Sequence, residues 1–142
     1  MSLQHWDVKQ AFVNAPLEEE VYLHQIKGFE RPGTEGKVLK LVKALYGTKQ
    51  AANAWQKFLS DILLSEGERK NLKDECVYIF NKEKAICIIS THVDDLFVLC
   101  NSEGKHIRDR IFKRLQTQMQ IDNKGEISYA LDTCIETDRN NT

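Results

Sequence analysis

Residues 90–100 read STHVDDLFVLC and place two adjacent carboxylates, Asp94 and Asp95, inside an almost unbroken apolar run. Burying an unpaired charge costs much free energy, so such acids normally stay in water, pair with a cation or bind a metal. The apolar residues on both sides are typical of two strands, which predicts a β-hairpin with the acids at or near its tip. At a tight turn both side chains can converge on one point, because the alternation of a strand is interrupted there.

Two carboxylates held close together repel each other, and both stay ionised only when a cation is near. Mg²⁺ suits such a pair, because it prefers hard oxygen ligands and keeps water and substrate phosphate in its shell. Asp is also a common turn residue, so the pair alone leaves a solvated turn and a metal site both open. A third acid, Asp7, ends another strand-like run. Three aspartates placed in this way form the ligand set that two-metal phosphoryl transfer requires.

The composition is that of an ordinary globular protein, with 42% hydrophobic and 29% charged residues among 142. This length is enough for one domain and little more. A formal net charge of -1 gives no basic footprint of the kind that a self-sufficient nucleic-acid binder shows. We find neither a signal-peptide pattern nor an apolar run long enough to cross a bilayer, so we expect an intracellular protein, in the cytoplasm or the nucleus.

The four cysteines form no C-x-x-C pair, and no histidine lies at a zinc-finger spacing from them. Three of them, Cys87, Cys100 and Cys134, are embedded in apolar strand-like sequence, and the fourth is Cys76. We therefore expect reduced, mostly buried thiols in place of zinc ligands or disulfides.

Short apolar runs predict several strands. They cover residues 21–26, 38–45, 76–80, 85–90, 96–100 and 127–135. Residues 28–36 have the composition of a loop, and residues 81–84 and 123–126 that of turns. Hairpin-linked strands that alternate irregularly with helices predict an α+β fold, an antiparallel sheet covered by helices.

Two helices are predicted from apolar residues at helical spacing. The first begins after Gly47 and ends near Gly67. Its apolar face comprises Trp55, Phe58, Leu59, Ile62 and Leu63. The second has Ser102 as its N-cap. Its apolar stripe comprises Ile107, Ile111, Leu115 and Met119. Its basic residues, typical of a solvated helix face, are Lys105, Arg108, Arg110, Lys113 and Arg114.

Three blocks of this sequence resemble the reverse transcriptases of copia-type retrotransposons. Residues 7–12, DVKQAF, match the family's Asp-Val-Lys-x-Ala-Phe, and a short acidic run follows at residues 18–20. Residues 43–55, KALYGTKQAANAW, match a block that reads roughly KALYGLKQAPRAW. Residues 92–96, HVDDL, match the family's YVDDL. The order and spacing of all three agree from about Leu3 to Arg139. The departures from the pattern are Thr48, Ala52, Asn53, His92 and Asp132.

The resemblance implies an α+β reverse-transcriptase palm. Asp7, Asp94 and Asp95 would surround Mg²⁺, with Mn²⁺ as an alternative ion. Asp7 and Asp94 would be direct ligands, with Asp95 in support. Phe12 would lie under the sugar of the incoming nucleotide and exclude a 2′-hydroxyl, although without the family a core Phe is its plainest interpretation. The loop and helix start near the nucleotide and template would comprise Tyr46, Gly47, Lys49 and Gln50.

The resemblance also implies the partners: an RNA or DNA template-primer, deoxynucleoside triphosphates and the rest of the Pol polyprotein, with no membrane. In the family a fingers region precedes the first block, and thumb, connection and ribonuclease H regions follow. Only six residues precede Asp7 here, so we expect residues 1–142 to be a palm fragment that does not extend a primer alone. Two interpretations stay open, an enzyme fragment that binds metal and an inert or domesticated remnant that acts as an interaction module.

Overall fold

A computed structural model describes residues 1–67, 69–70, 73–130 and 133–135 of the chain. The elements are β1 (Ser2–Val8), α1 (Ala11–Asn14), β2 (Tyr22–His24), β3 (Val38–Lys40), α2 (Ala51–Ser65), β4 (Arg69–Lys70), β5 (Val77–Lys82), β6 (Ala85–His92), β7 (Asp95–Cys100), α3 (Lys105–Gln116), β8 (Ile121–Glu126), β9 (Tyr129–Ala130) and β10 (Thr133–Cys134). Two compact units divide the chain: Met1–Lys9 with Ile62–Thr142, called here the sheet unit, and Gln10–Asp61, the ribbon unit. No helix in the described residues is long and apolar enough to cross a bilayer.

The sheet unit is built on an antiparallel sheet of six strands in the order β4-β5-β6-β7-β1-β8. The hairpin β6–β7 lies at its centre, and β1 pairs with β7. Helix α3 packs on β6 and β7. This arrangement agrees with the predicted α+β class and with the predicted hairpin.

Along the central strands, side chains point alternately to the two faces of the sheet, and burial shows which of these faces lies against the core. In β6 the residues Ala85, Cys87, Ile89 and Thr91 are buried, while those between them are half-buried or exposed. Trp6 and Val8 of β1 are each 1% exposed, and the Trp6 ring lies 4.9 Å from that of Phe112 in α3. Ile107, Ile111 and Leu115 of the predicted stripe are buried on α3, which confirms them, whereas Met119 is buried but lies beyond the end of the helix at Gln116. The core therefore lies on one face of the sheet, and Asp7 projects from the other.

The ribbon unit holds the two-stranded sheet β2–β3, the short helix α1 and the first part of α2. Trp55 is 2% exposed and Leu59 fully buried, as predicted for the apolar face of this helix. The acidic run at residues 18–20 is exposed, as expected, and its Glu18 forms an ion pair with Lys57. The second strand of the ribbon is shorter than predicted, since only Val38–Lys40 pairs.

The start of α3 differs from the prediction that Ser102 is its N-cap. The helix begins at Lys105, and Ser102 donates to the carboxylate of its neighbour Glu103. The side chain of Asn101 accepts the N–H of Gly104 at 2.8 Å and that of Ile86 at 3.0 Å. A Cβ on Gly104 would lie 2.2 Å from the carbonyl oxygen of Ile86. Asn101, in place of Ser102, therefore accepts the N–H before the helix, and close approach to β6 requires the small residue at position 104.

The predicted turn at residues 123–126 is wrong, because these residues belong to β8. The register shifts here: His5 lies opposite Gly125, and Trp6 lies opposite Asn123, so Lys124 is the extra residue of a β-bulge. Gly125 has φ 86, the left-handed conformation that a bulge glycine commonly adopts.

The predicted strand at residues 127–135 is also corrected, because β9 and β10 form a separate two-stranded sheet. Asp132 lies outside the described residues. All four cysteines are free thiols, as expected. Cys87 and Cys100 are buried and Cys76 is half-buried, but Cys134 is exposed, so the expectation of burial is wrong for this residue. The short strand β10 does not carry Cys134 into the core.

Candidate active site

Asp7 and Asp95 lie directly opposite each other on the neighbouring strands β1 and β7. Residues paired in this way in an antiparallel sheet project from the same face. Because Trp6 and Val8 point into the core, Asp7 projects from the opposite face, where its side chain is 20% exposed. The sheet thus brings two of the three predicted acids together.

Asp94 lies in the two-residue turn between β6 and β7, where His92 pairs with Asp95. It is exposed, and its carbonyl oxygen accepts the N–H of Val8 at 2.8 Å. This bond ties the turn to the end of β1, so Asp94 is anchored beside the Asp7 strand. Val93, the other turn residue, has φ 54. A β-branched residue rarely adopts such a conformation, which marks a locally strained turn.

Two amines neutralise Asp7. Its Oδ2 accepts a hydrogen bond from Lys9 and lies 3.2 Å from the Nζ of Lys124. Both lysines also approach Asp122, on the other side of Asp7, at 3.5 and 3.8 Å. Hydrogen bonding to Lys9 is the main reason that the pKa of Asp7 lies below its ordinary value, with Lys124 adding to the effect and partial burial opposing it. Asp7 is therefore an ionised carboxylate at neutral pH.

Asp95 has a different neighbour, His5. The Nε2 of His5 lies 2.6 Å from the Oδ1 of Asp95, and the imidazole stacks on Phe97 with ring centroids 5.5 Å apart. The sequence interpretation missed His5 and Lys124. A signal for His5 was present, because a residue two positions before Asp7 lies on the same face of a strand.

The donor set suits a divalent cation, although no group of three or more His, Cys, Asp or Glu side chains in the described part of the chain is arranged to hold one. Asp7 and Asp95 offer hard carboxylate oxygens from adjacent positions, and Asp94 lies in the adjoining turn. The side chains of Lys9 and Lys124 are 40% and 45% exposed, so both have room to turn away from Asp7. These three aspartates are the residues that would hold a metal.

The ribbon unit contains the other predicted site residues. Phe12, half-buried, lies against Tyr46 with ring centroids 5.3 Å apart, and Tyr46 is 80% exposed. Gly47 has φ 88 in the turn that precedes α2. Lys49 is exposed. Gln50 is half-buried and lines a surface cleft together with Glu18, Asn53, Lys57, Phe58 and Asp61. The structure thus brings Phe12 and Tyr46 together within this unit.

Comparison with known proteins places the chain in a family. Residues 1–141 match the family described as reverse transcriptase (RNA-dependent DNA polymerase). The retrovirus-related Pol polyprotein from transposon TNT 1-94 of Nicotiana tabacum is 36% identical over 105 residues, 73% of this chain and 8% of that protein. The retrovirus-related Pol polyprotein from transposon RE1 of Arabidopsis thaliana is 34% identical over 129 residues, 91% of this chain and 9% of that protein.

A yeast relative is more distant: the transposon Ty1-BL Gag-Pol polyprotein of Saccharomyces cerevisiae is 26% identical over 122 residues, 84% of this chain and 6% of that protein. The chain therefore spans less than a tenth of the length of these relatives. No solved structure matches it. The family match over nearly the whole chain and the similarity to transposon Pol polyproteins show that this chain belongs to the reverse transcriptases of copia-type retrotransposons.

Proposed function

We propose that this chain forms the catalytic palm of an RNA-directed DNA polymerase that transfers deoxynucleotides to a primer by a two-metal mechanism. The observation that carries the proposal is the register of Asp7 against Asp95, with Asp94 in the turn that Val8 anchors. Family membership supports it, because the blocks around Asp7 and the Asp94–Asp95 turn occur together in one chain that matches reverse transcriptases. The substrates that follow are an RNA or DNA template-primer and deoxynucleoside triphosphates.

Each acid has its own part in this proposal. Asp7 and Asp94 are the direct metal ligands and Asp95 supports them. Bound Mg²⁺ supplies charge neutralisation at the attacking hydroxyl and at the phosphate that is transferred. The aspartates hold the reacting groups at one end of the sheet. Lys9 and Lys124 keep Asp7 ionised, and they turn away from it when a cation takes their place.

In this proposal, residues of the ribbon unit select the sugar of the incoming nucleotide. Phe12 presents an aromatic ring whose position is fixed by contact with Tyr46. In the proposed complex this ring lies under the sugar of the incoming nucleotide, where a 2′-hydroxyl would collide with it. Tyr46, Gly47, Lys49 and Gln50 line the approach of nucleotide and template.

Calorimetric titration of the chain with Mn²⁺ and Mg²⁺ tests the metal site directly. Wild type is expected to bind, and Asp94→Asn to lose most of the affinity, because it removes a negatively charged oxygen donor. Asp109→Asn is the matched control, since Asp109 is an exposed aspartate on α3, outside the site. Equal binding by wild type and Asp94→Asn would refute the site and favour an inert remnant that serves as an interaction module.

Primer extension tests the activity. The chain is compared with a version extended at both ends by the flanking Pol sequence, on a primed RNA template with deoxynucleotides. We expect incorporation by the extended form and its loss in Asp94→Asn. An extended form that binds template-primer and metal but adds no nucleotide would contradict the proposed function.

A further inference from the structure

The two acids that face each other in the sheet contact very different groups. Asp7 contacts two lysine amines at the ends of long, partly exposed side chains. Asp95 contacts the imidazole of His5, which is a short, planar side chain on the neighbouring strand. A lysine amine moves away at little cost, whereas a ring that is fixed in place holds its partner in one orientation.

The His5 ring is fixed by the sheet itself. His5 lies directly opposite Phe97, and the two rings stack at 5.5 Å with an interplanar angle of 25°. The His5 and Asp95 side chains are 25% and 32% exposed, so solvent reaches only part of their contact. Phe97 therefore supports the ring, and the ring in turn holds the carboxylate.

The direction of the hydrogen bond follows from the chemistry of its partners. In the tautomer of His5 that carries its proton on Nε2, this nitrogen donates to Oδ1 of Asp95 over 2.6 Å, because a carboxylate oxygen accepts. One oxygen of Asp95 is then hydrogen-bonded to His5, which restricts the rotation of the Asp95 carboxylate. The second oxygen remains available on the face of the sheet that Asp7 shares.

We propose that His5 is a positioning residue for the metal site, which orients the Asp95 carboxylate toward a divalent cation held with Asp7 and Asp94. This inference rests on the proposed function, because it assigns His5 a role toward the cation of that site. Hydrogen-bonded partners of metal-binding carboxylates restrict their orientation, and removing such a partner costs about 10- to 100-fold in metal affinity. His5 lies in strand β1, two residues before Asp7 and outside the block of residues 7–12.

The test measures Mn²⁺ binding by the chain, with calorimetry and with the electron paramagnetic resonance signal of free Mn²⁺. His5→Ala is expected to bind about tenfold more weakly than wild type. His5→Gln places an amide donor at a similar reach and is expected to recover most of the affinity. His106→Ala removes an exposed histidine of α3 and is expected to bind as wild type. Unchanged affinity in His5→Ala would overturn the assignment.

A second comparison separates positioning from a merely structural role. In an Asp95→Asn background, His5→Ala is expected to cause no further loss of Mn²⁺ affinity, because the carboxylate that it orients is gone. An equal loss in both backgrounds would contradict positioning. If His5→Ala unfolds, Phe97→Leu replaces it, since this change removes the stacking and leaves the imidazole. Phe97→Leu should then bind measurably more weakly, and wild-type affinity would overturn the inference.

The two proposals fail in distinguishable ways. If wild type and Asp94→Asn bind Mn²⁺ equally or not at all, the metal site itself falls, and the role of His5 falls with it. If wild type binds, Asp94→Asn does not, and His5→Ala matches wild type, only the assignment of His5 is wrong.

Discussion

The amine of Lys124 lies 3.2 Å from a carboxylate oxygen of Asp7, on the neighbouring strand. The bulge in β8 explains this contact, because it inserts Lys124 as an extra residue beside β1. Lys9 donates a hydrogen bond to the same oxygen, so two positively charged side chains contact the Asp7 carboxylate. Two lysine amines thus lie beside Asp7, where the proposed metal ion would bind.

Replacing Lys9 with Met should raise the pKa of Asp7, because the hydrogen bond from Lys9 is the largest cause of its lowered value. A carboxyl-detected NMR titration of the metal-free chain measures this. Lys113→Met, on the exposed face of α3, should leave the Asp7 titration unchanged.

The Lys9–Asp7 pair also predicts how the free energy of unfolding depends on pH. The folded pKa of Asp7 is below that of the unfolded chain, so its contribution is complete above the unfolded value, about 3.9. The contribution is lost as the pH falls through the folded pKa. In Lys9→Met this acid-induced loss should shrink, as followed by urea unfolding at a series of pH values. A wild-type pH profile in the variant would contradict the assignment.

Gly104→Ala should destabilise the sheet unit by about 1–3 kcal/mol. The added methyl group would lie 2.2 Å from the backbone oxygen of Ile86, and neither helix α3 nor strand β6 can move freely. Urea denaturation gives the free energy of unfolding. Ser102→Ala is the control, because its hydroxyl bonds only locally to Glu103, and it should change stability little. Equal stability of the two variants would refute the close contact.

Val93→Gly should stabilise the hairpin by about 0.5–1 kcal/mol, because glycine adopts a positive φ without the strain that Val93 carries. Among the described turn residues of this hairpin, φ is positive at the first position, as in the type II′ turns that favour glycine there. Glu83→Gly provides a matched comparison in the β5–β6 turn, since Glu83 has φ 58. Thermal unfolding should show a gain in both variants. A loss confined to Val93→Gly would mean that contacts of the Val93 side chain outweigh its strain.

In an active form that contains this chain, Phe12→Ala should raise the use of ribonucleotides relative to deoxynucleotides on the order of tenfold or more. The smaller side chain removes the ring that would meet a 2′-hydroxyl. Competitive single-nucleotide incorporation measures the ratio. Val13→Ala, the exposed neighbour of Phe12, should leave the ratio unchanged. If wild type already uses both sugars equally, Phe12 does not select the sugar.

The sequence was sufficient for the parts of this fold that depend on local pattern. The apolar runs of β6 and β7 and the apolar stripe of α3 are visible in single stretches, and the structure has both. The bulge at Lys124 was mistaken for a turn, because Asn-Lys-Gly-Glu has turn composition and only pairing with β1 shows that it is a strand. An isolated glycine in a strand pattern was the available signal.

The contact partners of His5 and Gly104 could not be predicted from local pattern for a related reason. His5 gains its partner Asp95 only through the register of β1 on β7, and Gly104 gains its constraint only from the backbone of β6. Both depend on contacts between residues that are distant in sequence. The three aspartates could be predicted because they lie at the ends of strand-like runs and because they fit a family pattern, which already encodes such contacts.

The two-residue turn at Val93 and Asp94 makes the β6–β7 hairpin more sensitive to a change in strand register than to a change in side chain. An inserted or deleted codon that shifts the pairing of β6 with β7 by one residue would exchange the two faces of the strand. Leu96, Val98 and Cys100 would then face solvent, and Asp95 would face the core. In copies of a mobile element that drift without selection, one such in-frame change would disrupt both the core of the sheet unit and the proposed metal site.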